Sequence, residues 1–193
     1  MTHDLAPYRS TQEQWLKHYY FLRAIVSLVW VGAALSIGQH SVMAGAILLV
    51  AYPAWDAAAN YLDASRSGGL TSNATQAINV AISVATTLAV IVALQVSMNW
   101  VLAVFGVWAS LAGLLQLGTA LRRWKAYGAQ WAMILSGGQS ALVGILFIAQ
   151  SRMAAPPSIK NVVGYASVGA FYFLVSAMWL LVKDMRRKAV RPS

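Results

Sequence analysis

Six apolar stretches, at roughly 19–38, 42–62, 75–96, 98–121, 128–149 and 161–182, constrain this chain more than any other feature. Each is long enough to cross ~30 Å of hydrocarbon at about 1.5 Å per helical residue. In lipid every backbone amide and carbonyl has to be satisfied within the protein, so only helices and closed barrels can span. Runs such as Val80 to Val96 show none of the period-two alternation of a barrel strand. The spacing therefore predicts an all-α, six-span membrane protein. Composition agrees: 10% of the 193 residues are charged and 59% are hydrophobic, against about 25% charged in soluble domains. No hydrophilic segment is long enough for a second domain. The expected organisation is an N-terminal segment over 1–18, a transmembrane domain over 19–182 and a basic tail over 183–193. The first apolar run starts after a polar leader and lacks a small-residue cleavage site, so a retained helix is expected.

The net charge of +9 would suggest nucleic acid in a soluble protein. With the N-terminus inside, all of the 14 Lys and Arg except Arg152 and Lys160 fall on the inner side. The positive-inside rule then places both termini in the cytoplasm. The expected partners are the bilayer itself and anionic headgroups at the tail Lys183-Asp184-Met185-Arg186-Arg187-Lys188. A homo-oligomer is compatible with the small-residue faces below, and no nucleic-acid role is expected. Ser10-Thr11-Gln12-Glu13 reads as a capping box. With Trp15, Tyr19 and Tyr20 behind it, this segment is expected to lie along the cytoplasmic interface and turn into the first span.

The spans suggest three hairpins with short outer loops. The even-numbered spans align without gaps: Tyr52 with Trp108 and Phe171, Ala57 with Gly113 and Ser176, Asn60 with Gln116, Arg66 with Arg122. Such hairpins would be parallel repeats about the membrane normal. Gly106-Val107-Trp108-Ala109-Ser110-Leu111-Ala112-Gly113, then Arg122-Arg123-Trp124 and Gln130-Trp131-Ala132-Met133-Ile134-Leu135-Ser136-Gly137, resemble the HdeD-like family of small bacterial inner-membrane proteins. The likeness is good over 98–149, fair over 161–182 and weak over the first two spans. It implies a six-span bacterial inner-membrane protein, with a link in some members to survival of acid stress. It carries no catalytic residue onto this chain, because its motifs are Gly, Trp and Leu that specify packing. The polar second span departs from it.

That second span carries the chemistry. Tyr52, Asp56, Asn60 and Asp63 are spaced four, four and three, which puts them on one helical face. Asp56 is expected about six residues, ~9 Å, from the inner end of its helix, where a carboxylate costs up to roughly 3 kcal/mol. Arg23 lies at similar depth on the first span and is the natural partner. One reading is a structural Arg23–Asp56 pair completed by Asn60 and Tyr52. The other makes Asp56 a proton or cation site with Asp63 as its loop-proximal antechamber. Pro53 should leave a carbonyl near Leu49 free. Gln76, Asn79, Ser83 and Thr86 form a stripe on the third span, with Gln116 and Gln139 on the fourth and fifth, the residue types that hydrogen-bond between membrane helices. Gly106, Ser110, Gly113, Gly137, Ser140 and Gly144 form small faces for close approach, within one chain or between copies.

The chain has no cysteine, and His3, His18 and His40 are scattered, so no metal centre or cofactor is expected. No acid–base pair suggests an enzyme. The sequence leaves a structural or stress-related membrane protein in first place, and a small channel or transporter for protons, cations or solutes behind it.

Overall fold

Each apolar stretch forms one long helix in the computed structural model, which describes residues 5–126 and 128–190. The helices are α1 (Leu5–Ala33), α2 (Val42–Arg66), α3 (Ala74–Leu94), α4 (Met98–Arg123), α5 (Gln130–Gln150) and α6 (Ile159–Val190). One π-helical turn, Ala34–Gly38, extends α1. All six are long and apolar enough to cross a membrane, and the described residues contain no strand. The surface is inverted relative to a soluble protein. Ile25, Val29, Ile47, Leu88, Val92, Leu142 and Leu146 are exposed, whereas Asp56, Asn60, Asp63, Gln76, Ser83 and Arg123 are buried. Apolar outside and polar inside is the arrangement a lipid solvent selects. The chain is a multi-pass membrane protein.

The helices follow one another around a ring that α6 closes against α1. An even number of spans brings the start of α1 and the end of α6 to one end, together with Arg66, Arg122, Arg123, Lys183, Arg186 and Arg187; this is the basic end. Turns at the opposite end are short. Ser41 and Ser97 cap α2 and α4 there, their hydroxyls accepting from Ala44 N and Trp100 N, each at 3.3 Å. At the basic end α2 stops where Gly68 and Gly69 take φ of 98° and 85°, letting Gly69 N donate back to Ala64 O at 2.8 Å.

Connectivity makes hairpins, but packing does not follow them. The closest pairs are α4/α5, α1/α6 and α2/α3, while α1 and α2 touch mainly through the π turn. Trp30 bridges those two, donating to Leu48 O at 2.7 Å, one residue before the carbonyl that Pro53 was expected to free. The aligned positions of the even-numbered spans also differ in setting. Tyr52 and Trp108 meet edge to face at 5.7 Å, whereas Phe171 is 61% exposed on the outer face.

The capping-box expectation is corrected. The helix runs from Leu5 straight through Ser10, so Ser10 is not its N-cap. Glu13 instead accepts from Lys183 and from Arg187, the latter at 2.8 Å, and Lys17 donates to Asp184 at 2.9 Å. These pairs draw residues 13–18 into the bundle alongside α6, with Leu16, Tyr19 and Tyr20 buried, in place of a separate interfacial segment. The tail likewise continues α6 as helix to Val190. His3 and Arg191 lie outside the described residues.

The small faces of the fourth and fifth spans meet within one chain. A Cβ on Gly113 would stand 2.6 Å from Gly137 O, and one on Gly106 would stand 2.7 Å from Gly144 O. The backbones are close enough for Ser140 Oγ to donate to Ala109 O at 2.9 Å and Ser110 Oγ to Ala141 O at 3.3 Å. Gly113→Val should therefore force the helices apart and destabilise the protein by about 1–3 kcal/mol or more, read as earlier melting in detergent. Gly118→Ala, where nothing lies within 4 Å, should leave the melting temperature unchanged or slightly raised. Equal behaviour of the two variants would show that α4 and α5 are not held this way.

Candidate functional site

Two apolar clusters fill the bundle, one built on Leu49, Val101, Leu102, Phe105 and Phe147 and the other on Leu16, Tyr20, Met133, Phe173 and Leu180. Between and alongside them lies a cavity of about 240 Å³ to which all six helices contribute. Its lining contains Arg23, Tyr52, Asp56, Asn60, Asp63, Gln76, Asn79, Gln116 and Gln139, all candidates from the sequence, but not Ser83 or Thr86 of the third-span stripe. It also contains several that were not candidates, among them Trp108, Arg123, Gln130, Ser136 and Tyr165.

Asp56 is the centre of the network. The helix carrying it continues to Arg66, so Asp56 lies about ten residues, ~15 Å, from that end. This is further from the helix end than the ~9 Å expected, because α2 runs four residues past position 62. One carboxylate oxygen accepts from the Arg23 guanidinium. The other accepts from Asn60 Nδ2 at 3.0 Å and Ser83 Oγ at 2.9 Å. Ser83 in turn accepts from Trp108 Nε1 at 3.0 Å, so four helices converge on a single carboxylate. Arg23 is held from its other side as well. It donates to Tyr19 Oη at 3.1 Å, and its guanidinium carbon lies 4.4 Å from the centre of the Phe173 ring, where a desolvated cation is attracted to the π face. Tyr52 takes no part in holding Asp56. Its ring packs on Trp30, Trp108 and Tyr165 instead.

Asp63 differs from its expectation as a loop-proximal residue. It is 3% exposed, and Arg123 donates to it at 2.8 Å, Gln76 at 3.1 Å and Trp15 at 3.4 Å. The reason is that α2 runs past position 62 and Arg123 reaches in from the last turn of α4. The cavity therefore holds two carboxylates and two guanidiniums, with no net formal charge. Asp56 and Asp63 are two helical turns apart, ~10.5 Å along one face.

The amides divide the remaining work. Gln116 Nε2 donates to Met133 O at 3.3 Å and ties α4 to α5. Gln139 lines the cavity from α5. Asn79 Oδ1 is buried with no hydrogen-bond partner among the described residues, as are Trp55 Nε1 and Arg23 Nε. All three residues line the cavity, and Ser176 Oγ is the remaining buried side-chain atom in that condition. Each unpaired buried group costs roughly 1–3 kcal/mol, and here that cost gathers around one space. No group of three or more His, Asp or Glu side chains among the described residues could hold a metal ion.

Arg123, Trp15 and Trp108 are parts of the network that sequence reasoning did not assign to it, and Ser83 was read only as one of the third span's polar stripe. Arg123 counted only as one more inner-loop charge. The signal that could have found it is the second acid: a buried Asp63 needs a cation, and only a helix end supplies one at that depth. Compared with protein-family models, curated proteins and solved structures, the chain matches none.

Asp56→Asn would leave Arg23 buried without its counter-charge, a loss of about 3–5 kcal/mol for a broken buried pair. The expected result is a clearly lower melting temperature in detergent with helicity retained. The exchange Arg23→Asp with Asp56→Arg should recover part of it. An unchanged melting temperature for Asp56→Asn, or no recovery in the exchange, would count against the pair as a structural tie.

Proposed function

We propose that this chain is a bacterial inner-membrane protein that binds and moves a small polar solute through the cavity at the centre of its bundle. The basic end lies in the cytoplasm on this proposal, following the distribution of Lys and Arg. The observation that carries it is the cavity itself. Aromatic faces with a few polar groups converging on one space are what small-molecule sites are made of, and Asn79 Oδ1, Trp55 Nε1 and Arg23 Nε keep hydrogen-bonding capacity for an occupant. The balance of charge chooses among solutes. Asp56 and Asp63 are each met by an arginine, so no uncompensated negative charge is left for a proton or metal cation path. An uncharged or zwitterionic solute fits the lining better. Catalysis is not proposed, since both buried acids are engaged by guanidiniums.

A second reading follows the HdeD-like resemblance of 98–149: a structural or partner-binding role, in a homo-oligomer, that contributes to acid or envelope stress tolerance. Its support is the saturation of Asp56 and Asp63 and the glycine-mediated seam of α4 and α5, which are what a rigid, chemically inert bundle would need.

Proteoliposomes separate the two. Proline, glucose and uridine serve as zwitterionic, polyol and flat neutral probes, with proton and potassium flux measured in parallel. Saturable uptake of one probe is expected, lost in Ser136→Trp, which fills the cavity, with no proton or potassium flux above empty liposomes. Uptake of no probe, in a protein that melts cooperatively, would favour the structural reading. Wild-type cation flux, abolished in an Asp56→Asn protein that still melts cooperatively, would replace the solute by an ion.

A further inference from the structure

A second concavity lies on the outside of the bundle and shares no lining residue with the central cavity. It has a volume of about 720 Å³ and follows one stripe of α6. Phe171, Leu174, Val175, Met178, Trp179 and Val182 form its apolar length at helical spacing, and Lys183 and Arg186 stand at its basic end. Phe171, Leu174, Met178, Trp179 and Val182 are all among the exposed large hydrophobic residues. Gly128 closes the basic end from the α4–α5 connection, where a Cβ would come within 3.3 Å of Leu180 and 3.6 Å of Lys183 Nζ.

We propose that this groove is a binding site for one anionic phospholipid, its acyl chain along Phe171 to Val182 and its phosphate against Arg186 and Lys183. Three observations select that occupant. The first is length: Phe171 to Arg186 spans about fifteen residues, ~22 Å along the axis, which matches one leaflet, half of a bilayer about 40–45 Å thick with its headgroups. The second is charge. Lys183 is shared with Glu13, whereas Arg186 makes no ion pair with a carboxylate among the described residues and sits where the phosphate would. The third is the exclusion of a second copy. A two-fold dimer through this face would set Arg186 against Arg186 and Lys183 against Lys183, a like-charge contact on a chain of net charge +9. Trp179 and Trp131, edge to face at 5.8 Å, stand beside the site one to two turns from the charges, the depth at which indoles settle in the interface.

The test uses the full chain purified in neutral detergent, with phosphatidylglycerol or phosphatidylcholine added. Native mass spectrometry reads retained lipid and size-exclusion with light scattering reads oligomeric state. One retained phosphatidylglycerol is expected, preferred over phosphatidylcholine by about tenfold or more. Arg186→Gln should cut that preference about fivefold. Arg66→Gln, at the same end but on α2, should leave it intact. Met178→Trp fills the apolar length and should lose the bound lipid while the charges remain. Equal retention of the two lipids overturns the proposal. So does an equal loss in Arg66→Gln and Arg186→Gln, which would mean diffuse attraction to the basic end. A wild-type dimer that Met178→Trp dissociates would give the groove to a second copy.

Discussion

A carboxylate buried inside a membrane helix bundle has to be matched by donors from its own protein, and the demand of Asp56 organises this bundle. Arg23 comes from α1, Asn60 from its own helix, Ser83 from α3, and Trp108 reaches Ser83 from α4. Four helices are thereby indexed in depth and rotation against one atom group. Hydrophobic packing cannot do this in lipid, where a leucine is equally at ease on either side of a helix. Asp63 repeats the device nearer the basic end with Arg123, Gln76 and Trp15. Two buried pairs on one face of α2 make that helix the spine of the protein.

Close approach of α4 and α5 supplies the complementary half of the design. Where Gly106, Gly113, Gly137 and Gly144 remove side chains from the seam, backbones touch and two helices behave as one wall. The rest of the ring must then span the remaining circumference with bulky aromatic side chains. Tyr52, Trp108, Phe147 and Tyr165 meet at centroid distances of 5.7–6.4 Å. Rings packed edge to face leave angular gaps, and the polar network holds its helices at fixed spacing. A cavity is the geometric remainder of a tight seam on one side and a rigid hydrogen-bonded cluster on the other.

Much of the architecture was legible residue by residue. The polar face Tyr52, Asp56, Asn60 and Asp63 was visible because the helical period is rigid, and Arg23 because depth can be counted along two helices joined by a short turn. Arg123 was not, because it lies 60 residues from Asp63 and its approach depends on which helices become neighbours. Glu13 shows the same limit from the other side. Its local pattern suits a capping box, but Lys183 and Arg187 outbid that arrangement from 170 and 174 residues away.

Apolar run length determined the number of spans and their class, since ~30 Å of hydrocarbon and 1.5 Å per residue admit no other solution. Residue period likewise determined which polar side chains share a face. What those faces meet was left to tertiary structure: the order of helices around the ring, the pairing of Asp63 with Arg123, and the meeting of the glycine faces within one chain. The physical reason is that lipid exerts no directional preference on an apolar surface. Neighbours are chosen by the complementarity of a few polar and small residues, and that is a property of pairs of helices and not of any one segment.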